Sequence, residues 1–155
     1  MHSGRRKALQ GAGGLAVMGL MAAAGLLKPT AARAEWNKEA FTTKSFADAV
    51  KAMGGSQPTE SHDILINSPD IAENGAVVPF TISSKVPNTQ SIALLVEKNP
   101  NILAADFEIP QGTEPWINTR VKMGQTSRVI ALVKAGDKYY YNAKEVKVTL
   151  GGCGG

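Results

Sequence analysis

Residues 116–133 have the sequence WINTRVKMGQTSRVIALV, and this stretch decides the fold. In its first half apolar residues, among them Ile117 and Val121, alternate with polar ones. A period of two is typical of a strand with one face on a core and the other in water. Val129 to Val133 form a continuous apolar run instead, which predicts a strand buried on both faces. Gly124 lies between the halves and favours a turn.

The same kind of pattern continues outward along the chain. Alternating or short apolar runs predict further strands at 64–66, 78–82, 92–96, 103–109 and 146–150. The run at 64–66 is predicted to be buried on both faces, and 92–96 to be half-buried. Turn residues such as Asn74-Gly75 and Gly136-Asp137 separate the strands. About seven strands with no helical crossover predict an immunoglobulin-like antiparallel β-sandwich, with a small barrel as the alternative.

One short amphipathic helix is predicted before the strands, from Ser45 to Met53. Ser45 and Asp48 resemble a capping box, and apolar residues then recur at helical spacing. Gly54-Gly55 supplies the stop, and 54–61 is interpreted as a connector.

The basic charge of the chain belongs to its leader. The 155 residues carry a formal net charge of +4, but all five basic residues before Glu35 lack an acidic counterpart there. From Glu35 onward the sequence has 12 basic and 13 acidic residues, a formal net charge of −1. A chain without basic excess and with few aromatic residues lacks the footprint of a nucleic-acid-binding protein, so nucleic acid is not an expected partner.

Residues 1–34 have the three parts of an export signal. Arg5 and Arg6 form a basic start, an apolar run follows, and Ala34 ends a small-x-small cleavage site before Glu35. The apolar run from Leu15 to Leu27 is too short for a transmembrane anchor, which needs about 20 residues. The Arg-Arg pair resembles a twin-arginine signal. We therefore expect a periplasmic protein without a membrane anchor.

These patterns divide the chain into four parts. They are a cleaved signal (1–34), an N-terminal helix with its connector (35–61), a β-sandwich domain (62–150) and a flexible carrier arm (151–155).

Cys153 is the only cysteine, and it lies between paired glycines at the end of the sequence: Gly151, Gly152, Gly154 and Gly155. Thiols exported from the cytoplasm are usually oxidised into pairs, so a lone one indicates an intermolecular disulfide or a reactive group. Glycines make a thin arm that adapts to a narrow cleft. No neighbour in sequence can serve as a base, so we expect other proteins to supply the catalysis and this chain not to be an enzyme.

Cys153 has three alternative interpretations. A structural exported β-sandwich would use it only to join two copies by a disulfide. A thiol oxidoreductase is disfavoured because the chain has no second, resolving cysteine. An incidental cysteine on a disordered tail is the third.

An Arg-Arg leader, one helix, an all-β body and a terminal Gly-Gly-Cys-Gly-Gly together resemble the SoxY family, the sulfur-carrier subunits of bacterial thiosulfate-oxidising Sox systems. The resemblance implies a heterodimer with a SoxZ-like subunit and sulfur intermediates attached at Cys153. It also implies transient partners: a SoxXA-like c-type cytochrome that loads thiosulfate, a SoxB-like hydrolase that releases sulfate, and a SoxCD-like dehydrogenase. No cofactor or metal is expected on the chain itself.

Other residues carry weaker signals. His62 is more consistent with a surface or core histidine than with a metal ligand, because the sequence after the leader has no second histidine and no second cysteine. Asp106 and Glu108 share a strand face that favours a solvated surface over a catalytic carboxylate pair. The run Tyr139–Tyr141 suits packing or a subunit interface, with packing favoured. Trp116 is a candidate partner-facing anchor.

Overall fold

Two stacked β-sheets and a helical segment on the outer face of the larger sheet make up the body of the protein, in a computed structural model that describes residues 37–149. The helical segment contains a single 3₁₀ turn, Ala40–Thr42, and helix α1, Phe46–Ala52. The strands are β1 (Thr59–Glu60), β2 (Ile64–Asn67), β3 (Ile71–Ala72), β4 (Val78–Ser84), β5 (Thr89–Val96), β6 (Leu103–Glu108), β7 (Trp116–Val121), β8 (Ser127–Ala135) and β9 (Lys138–Val148). The fold is the predicted mainly β sandwich with one short helix.

The larger sheet has the order β1-β9-β8-β5-β6, with β3 also paired to β9, and the smaller sheet has the order β2-β4-β7. All pairings are antiparallel except those of β1 and β3, which run parallel to β9. The core between the sheets contains Phe80 and Ile82 from the smaller sheet and Leu94 and Val133 from the larger one. The strands are rich in β-branched and aromatic residues, which suit a pleated, half-buried surface.

Helix α1 begins and ends close to where the sequence predicts. The Ser45 hydroxyl accepts a hydrogen bond from the Asp48 backbone N–H at 3.1 Å and donates one to the Asp48 carboxylate at 2.6 Å. This satisfies one of the N–H groups that a helix leaves unpaired at its start. Gly54 stops the helix in the left-handed region, at φ +86°.

The apolar face of α1 lies on the outer face of the larger sheet. Ala49 and Val50 pack with Leu95 and Leu132 in a second buried cluster, separate from the core between the sheets. Tyr139 joins this cluster, and its hydroxyl donates a hydrogen bond to the Met53 carbonyl at the end of the helix. The architecture therefore has three layers: helix, large sheet and small sheet.

The predicted burial pattern is confirmed for β7, which is buried on one face, and for β8, and it is wrong for β5 and β2. Val129–Val133 in β8 is buried on both faces, as predicted. Ile92–Val96 in β5 is also buried throughout rather than half-buried, because the helical segment covers the face that carries Leu95. Ile64–Ile66 is not buried on both faces: Leu65 is 47% exposed, because β2 is an edge strand and the outer face of the small sheet is uncovered.

The segment interpreted as a connector contains a strand. Thr59 and Glu60 pair in parallel with Tyr140 and Tyr141 of β9. The chain then contributes β2 to the small sheet and returns to β9 as β3. The N-terminal segment is thus tied directly into the sandwich.

None of the helices among residues 37–149 is long and apolar enough to cross a membrane.

Gly55 lies where the helical segment meets β9, and we expect Gly55→Ala to destabilise the fold. A Cβ atom at Gly55 would lie 2.8 Å from Tyr139 Cδ2 and 2.9 Å from Val50 Cγ1. Overpacking of this kind costs about 1–3 kcal/mol, which chemical denaturation measures. Ser56→Ala, at the exposed neighbouring position, is the matched control and should change the unfolding free energy by less than about 0.5 kcal/mol. Equal stabilities of the two variants would contradict this packing.

Candidate functional site

The root of the C-terminal segment is fixed at the end of β9. The Thr149 backbone N–H donates to the Ala72 carbonyl at 3.1 Å, and the Thr149 hydroxyl donates to the Glu73 carbonyl at 3.2 Å. One residue earlier, the Val148 N–H donates to the Thr126 hydroxyl at 2.9 Å. The chain is therefore held on both sides up to Thr149, and whatever follows starts from a defined point on the sandwich.

The loops around this root are bonded to one another. The Asn99 side chain donates to the Lys122 carbonyl at 2.8 Å and accepts from the Gly124 N–H at 3.3 Å. The Met123 N–H donates to the Gly75 carbonyl at 2.7 Å. Three connections, β3–β4, β5–β6 and β7–β8, are thereby joined at one end of the sandwich. Such cross-bonded loops make a firm base, because opening one requires breaking bonds to the next.

Cys153 and the arm glycines Gly151, Gly152, Gly154 and Gly155 lie outside the described residues, as do Arg5, Arg6, Ala34 and Glu35 of the leader. Chain length alone limits where the thiol can be. Cys153 lies four positions after Thr149, so the two Cα atoms are at most about 14 Å apart at about 3.5 Å per residue.

A comparison with protein-family models identifies the family of this chain. Residues 49–153 match the family model described as "Sulfur oxidation protein SoxY", which is well over half of the chain. The chain belongs to the SoxY family. The match begins in helix α1, spans the described sandwich and ends on Cys153.

A solved SoxY structure supports the assignment. The structure of the sulfur carrier protein SoxY from Chlorobium limicola f thiosulfatophilum is 38% identical to this chain, with a TM-score of 0.61 over 66% of this chain and 94% of that one. A toxic shock syndrome toxin-1 structure is 14% identical, with a TM-score of 0.38 over 55% of this chain and 98% of that one. A lytic polysaccharide monooxygenase from Jonesia denitrificans is 16% identical, with a TM-score of 0.36 over 61% and 59%. No curated protein matches the sequence.

Asp106 and Glu108 lie on an exposed face of β6, as their alternation with apolar residues predicts. They line a groove of about 470 Å³ together with Lys134 and Tyr139. The pKa of the Asp106 carboxyl is raised, chiefly because burial removes part of its hydration and secondly because the Glu108 carboxylate is nearby. Burial, followed by the Asp106 charge, raises the pKa of the Tyr139 hydroxyl.

His62 is exposed in the turn before β2. Within residues 37–149, no group of three or more histidine, cysteine, aspartate or glutamate side chains is arranged to hold a metal ion.

The tyrosine run packs rather than projecting, as the sequence favoured. Tyr139 is buried, and the Tyr141 ring meets the Phe46 ring of α1 edge to face, with centroids 5.4 Å apart. Trp116, in contrast, is 52% exposed on the outer face of the small sheet, in register with Ser83 and, one strand further, with Leu65. Its assignment as a partner-facing anchor stays a prediction.

Sequence reasoning missed the groups that fix the arm root. Thr126 and Thr149 are ordinary turn and strand-end residues in the sequence, and only the pairing of β9 with β3 and β8 brings them together. Asp70 is a further case: its carboxylate lies 2.8 Å from the Lys144 ammonium, whose hydrogen bond and charge lower the pKa of Asp70.

Proposed function

We propose that this chain is a periplasmic covalent carrier of sulfur intermediates in thiosulfate oxidation, with Cys153 as the attachment point. The observation that carries the proposal is the extent of the family match, whose last residue is the only cysteine of the chain. The solved relative, named as a sulfur carrier protein, supports the same role. In this proposal the chain presents its cargo and partner enzymes carry out the reactions.

The arrangement at the arm root suits such a carrier. The sandwich holds Thr149 with two hydrogen bonds, so the arm starts from a fixed point, while the residues around Cys153 are all glycine. Glycine has no side chain to obstruct entry into a narrow active site and adopts backbone conformations that other residues avoid. Ordering the arm costs about 1–2 kcal/mol per residue, so each docking event should be brief.

The proposed cycle balances as follows. The Cys153 thiol and thiosulfate form a sulfur–sulfur bond, which gives a cysteine S-thiosulfonate and releases one proton and two electrons to a c-type cytochrome. Water then cleaves the terminal sulfonate as sulfate and leaves a persulfide. A dehydrogenase oxidises the outer sulfur of the persulfide to a sulfonate, with three waters as the oxygen source and six electrons passed to a c-type cytochrome. A second hydrolysis releases sulfate and the free thiol.

The proposed partners follow from the same assignment. They are a SoxZ-like subunit that forms a heterodimer with this chain, and SoxXA-like, SoxB-like and SoxCD-like enzymes that bind it transiently. Export would use the Arg5-Arg6 leader with cleavage between Ala34 and Glu35.

Reconstitution tests this function against the disulfide alternative. Purified partner enzymes should oxidise thiosulfate only when this chain is present, and many turnovers per chain are expected because the thiol is regenerated. If Cys153 only joins two copies by a disulfide, the dimer would dissociate on reduction. Omitting the chain would then leave thiosulfate oxidation unaffected. That result would reject the carrier.

We expect Gly152→Val to slow turnover strongly while leaving thermal stability unchanged. Valine thickens the arm next to the thiol and restricts its backbone, and in the proposed carrier the arm is not part of the core, so stability should not change. Steady-state thiosulfate oxidation and a melting curve measure the two effects. The control is Val148→Ile, which adds one methylene group at the end of β9, on the body side of Thr149, and should leave turnover unchanged. A large fall in melting temperature for Gly152→Val would show that the arm is part of the core.

A further inference from the structure

Charge is unevenly distributed between the two ends of the sandwich. The end where β9 finishes, which we call the arm end, consists of residues 70–77, 97–102, 120–128 and 144–149, and it carries six basic residues against four acidic ones. The opposite end consists of residues 54–63, 84–91, 106–116 and 134–140, and it carries three basic residues against six acidic ones. The described residues as a whole have equal numbers of both, so the polarity comes from placement and not from composition.

Ion pairing leaves three lysines unneutralised at the arm end. Asp70 pairs with Lys144 at 2.8 Å, and Glu97 pairs with Arg128 at 3.3 Å. Glu145 lies opposite Arg128 across β8 and β9. Four cations remain at this end: Arg120 on β7, and three lysines on the loops and on β9, Lys98, Lys122 and Lys147, which we call the lysine collar.

The members of the collar are exposed, and none of them pairs with a carboxylate among residues 37–149. Glu73 is the one acidic residue of the arm end that has neither an ion pair nor a basic residue opposite it among those residues.

The collar lysines belong to three separate segments that meet at the arm end. The Lys98 N–H donates to Ser127 Oγ at 3.1 Å, and Ser127 adjoins Thr126, which holds Val148. The Lys122 carbonyl accepts from Asn99 in the neighbouring loop. Lys147 precedes Thr149 by two positions on β9 itself. The Cα atom of Cys153, four positions after Thr149, therefore stays within about 14 Å of the Thr149 Cα at this end of the sandwich.

We propose that the lysine collar is an anion-attracting surface that speeds the reaction of Cys153 with small anionic sulfur compounds. This inference rests on the proposed function, because that function defines both the thiol and its oxyanion cargo. Thiosulfate and its conjugates are anions at neutral pH, and a cluster of like charges raises the local concentration of counter-ions and their encounter rate. The effect is electrostatic and acts on the encounter between the anion and the thiol, while the oxidation that joins thiosulfate to Cys153 still requires the cytochrome.

The test compares two disulfide reagents that differ in charge. Dithiobis(nitrobenzoate) is a dianion and dithiodipyridine is neutral at pH 7. With either one, the Cys153 thiolate attacks one reagent sulfur, a mixed disulfide forms and the other half leaves as the thiolate or thione, whose absorbance gives the rate. The purified protein is used together with any subunit that copurifies. The variant is Lys98→Glu/Lys122→Glu/Lys147→Glu, and the matched control makes the same three reversals at the opposite end, Lys85→Glu/Lys134→Glu/Lys138→Glu.

Reversal of the collar should slow the dianion at least about fivefold in 10 mM salt and have little effect in 0.5 M salt, because screening lengths fall from roughly 30 Å to roughly 4 Å. The neutral reagent should react at the same rate with both variants and with the unaltered protein. Equal slowing of both reagents, or slowing of neither, would overturn the collar and leave the carrier function standing. A thiol in the unaltered protein that reacts with neither reagent would overturn the carrier function itself.

Discussion

Thiosulfate oxidation by the reconstituted partner enzymes should fall to the background rate when Cys153 is replaced by serine, while the melting temperature stays unchanged. The hydroxyl of serine cannot form the sulfur–sulfur bond on which the proposed cycle depends. The chain has no second cysteine that could take over the role. In the proposed carrier the thiol belongs to a thin glycine arm and not to the core, so serine at this position should not lower the stability of the sandwich.

Alkylation provides the control for this variant. Treating the unaltered protein with iodoacetamide should produce the same loss of turnover as Cys153→Ser, and the serine variant should be insensitive to the reagent. Retention of thiosulfate oxidation by Cys153→Ser would show that the cargo is attached elsewhere or that the chain is not a carrier.

A large loss of stability is expected for Leu95→Ala. Leu95 is fully buried beneath the helical segment, on the face of β5 that points away from the small sheet. Truncating a buried leucine to alanine costs about 2–5 kcal/mol, because apolar contact is lost and a cavity remains. Denaturant unfolding monitored by tryptophan fluorescence or circular dichroism measures the change. A two-layer sandwich, in which this face of β5 met water, would show almost none.

Leu65→Ala is the matched control for Leu95→Ala. It is the same substitution on a strand of the other sheet, but Leu65 is 47% exposed on the uncovered outer face. We expect a loss below about 1 kcal/mol there. Similar losses for the two variants would contradict the three-layer packing.

The sequence predicted the sandwich and the helix because their signals are local. Ser45 and Gly54 mark the ends of α1 by their own chemistry, and the alternation through β7 follows directly from its one-sided burial. The error at β5 was avoidable: Ile92–Val96 is as continuously apolar as Val129–Val133, and this run indicated two covered faces.

The remaining features depend on pairings between distant parts of the chain. The two-residue strands β1 and β3 form only because β9 has an unpaired edge with which they pair. No local pattern in Thr59-Glu60 or Ile71-Ala72 predicts a strand. The arm root is likewise formed by Thr126, Ala72 and Glu73 meeting β9 from separate segments. The attachment residue was identified differently, because a lone cysteine among glycines is visible without any knowledge of the fold.

The attachment of sulfur intermediates to Cys153 can be observed by peptide mass spectrometry of the protein isolated from cells oxidising thiosulfate. We expect the peptide that contains Cys153 to carry thiosulfonate or persulfide mass additions on that residue. Reductant should remove these additions, and they should disappear when thiosulfate is withheld. A C-terminal peptide that is always unmodified, or one found only as a disulfide between two copies, would contradict this attachment.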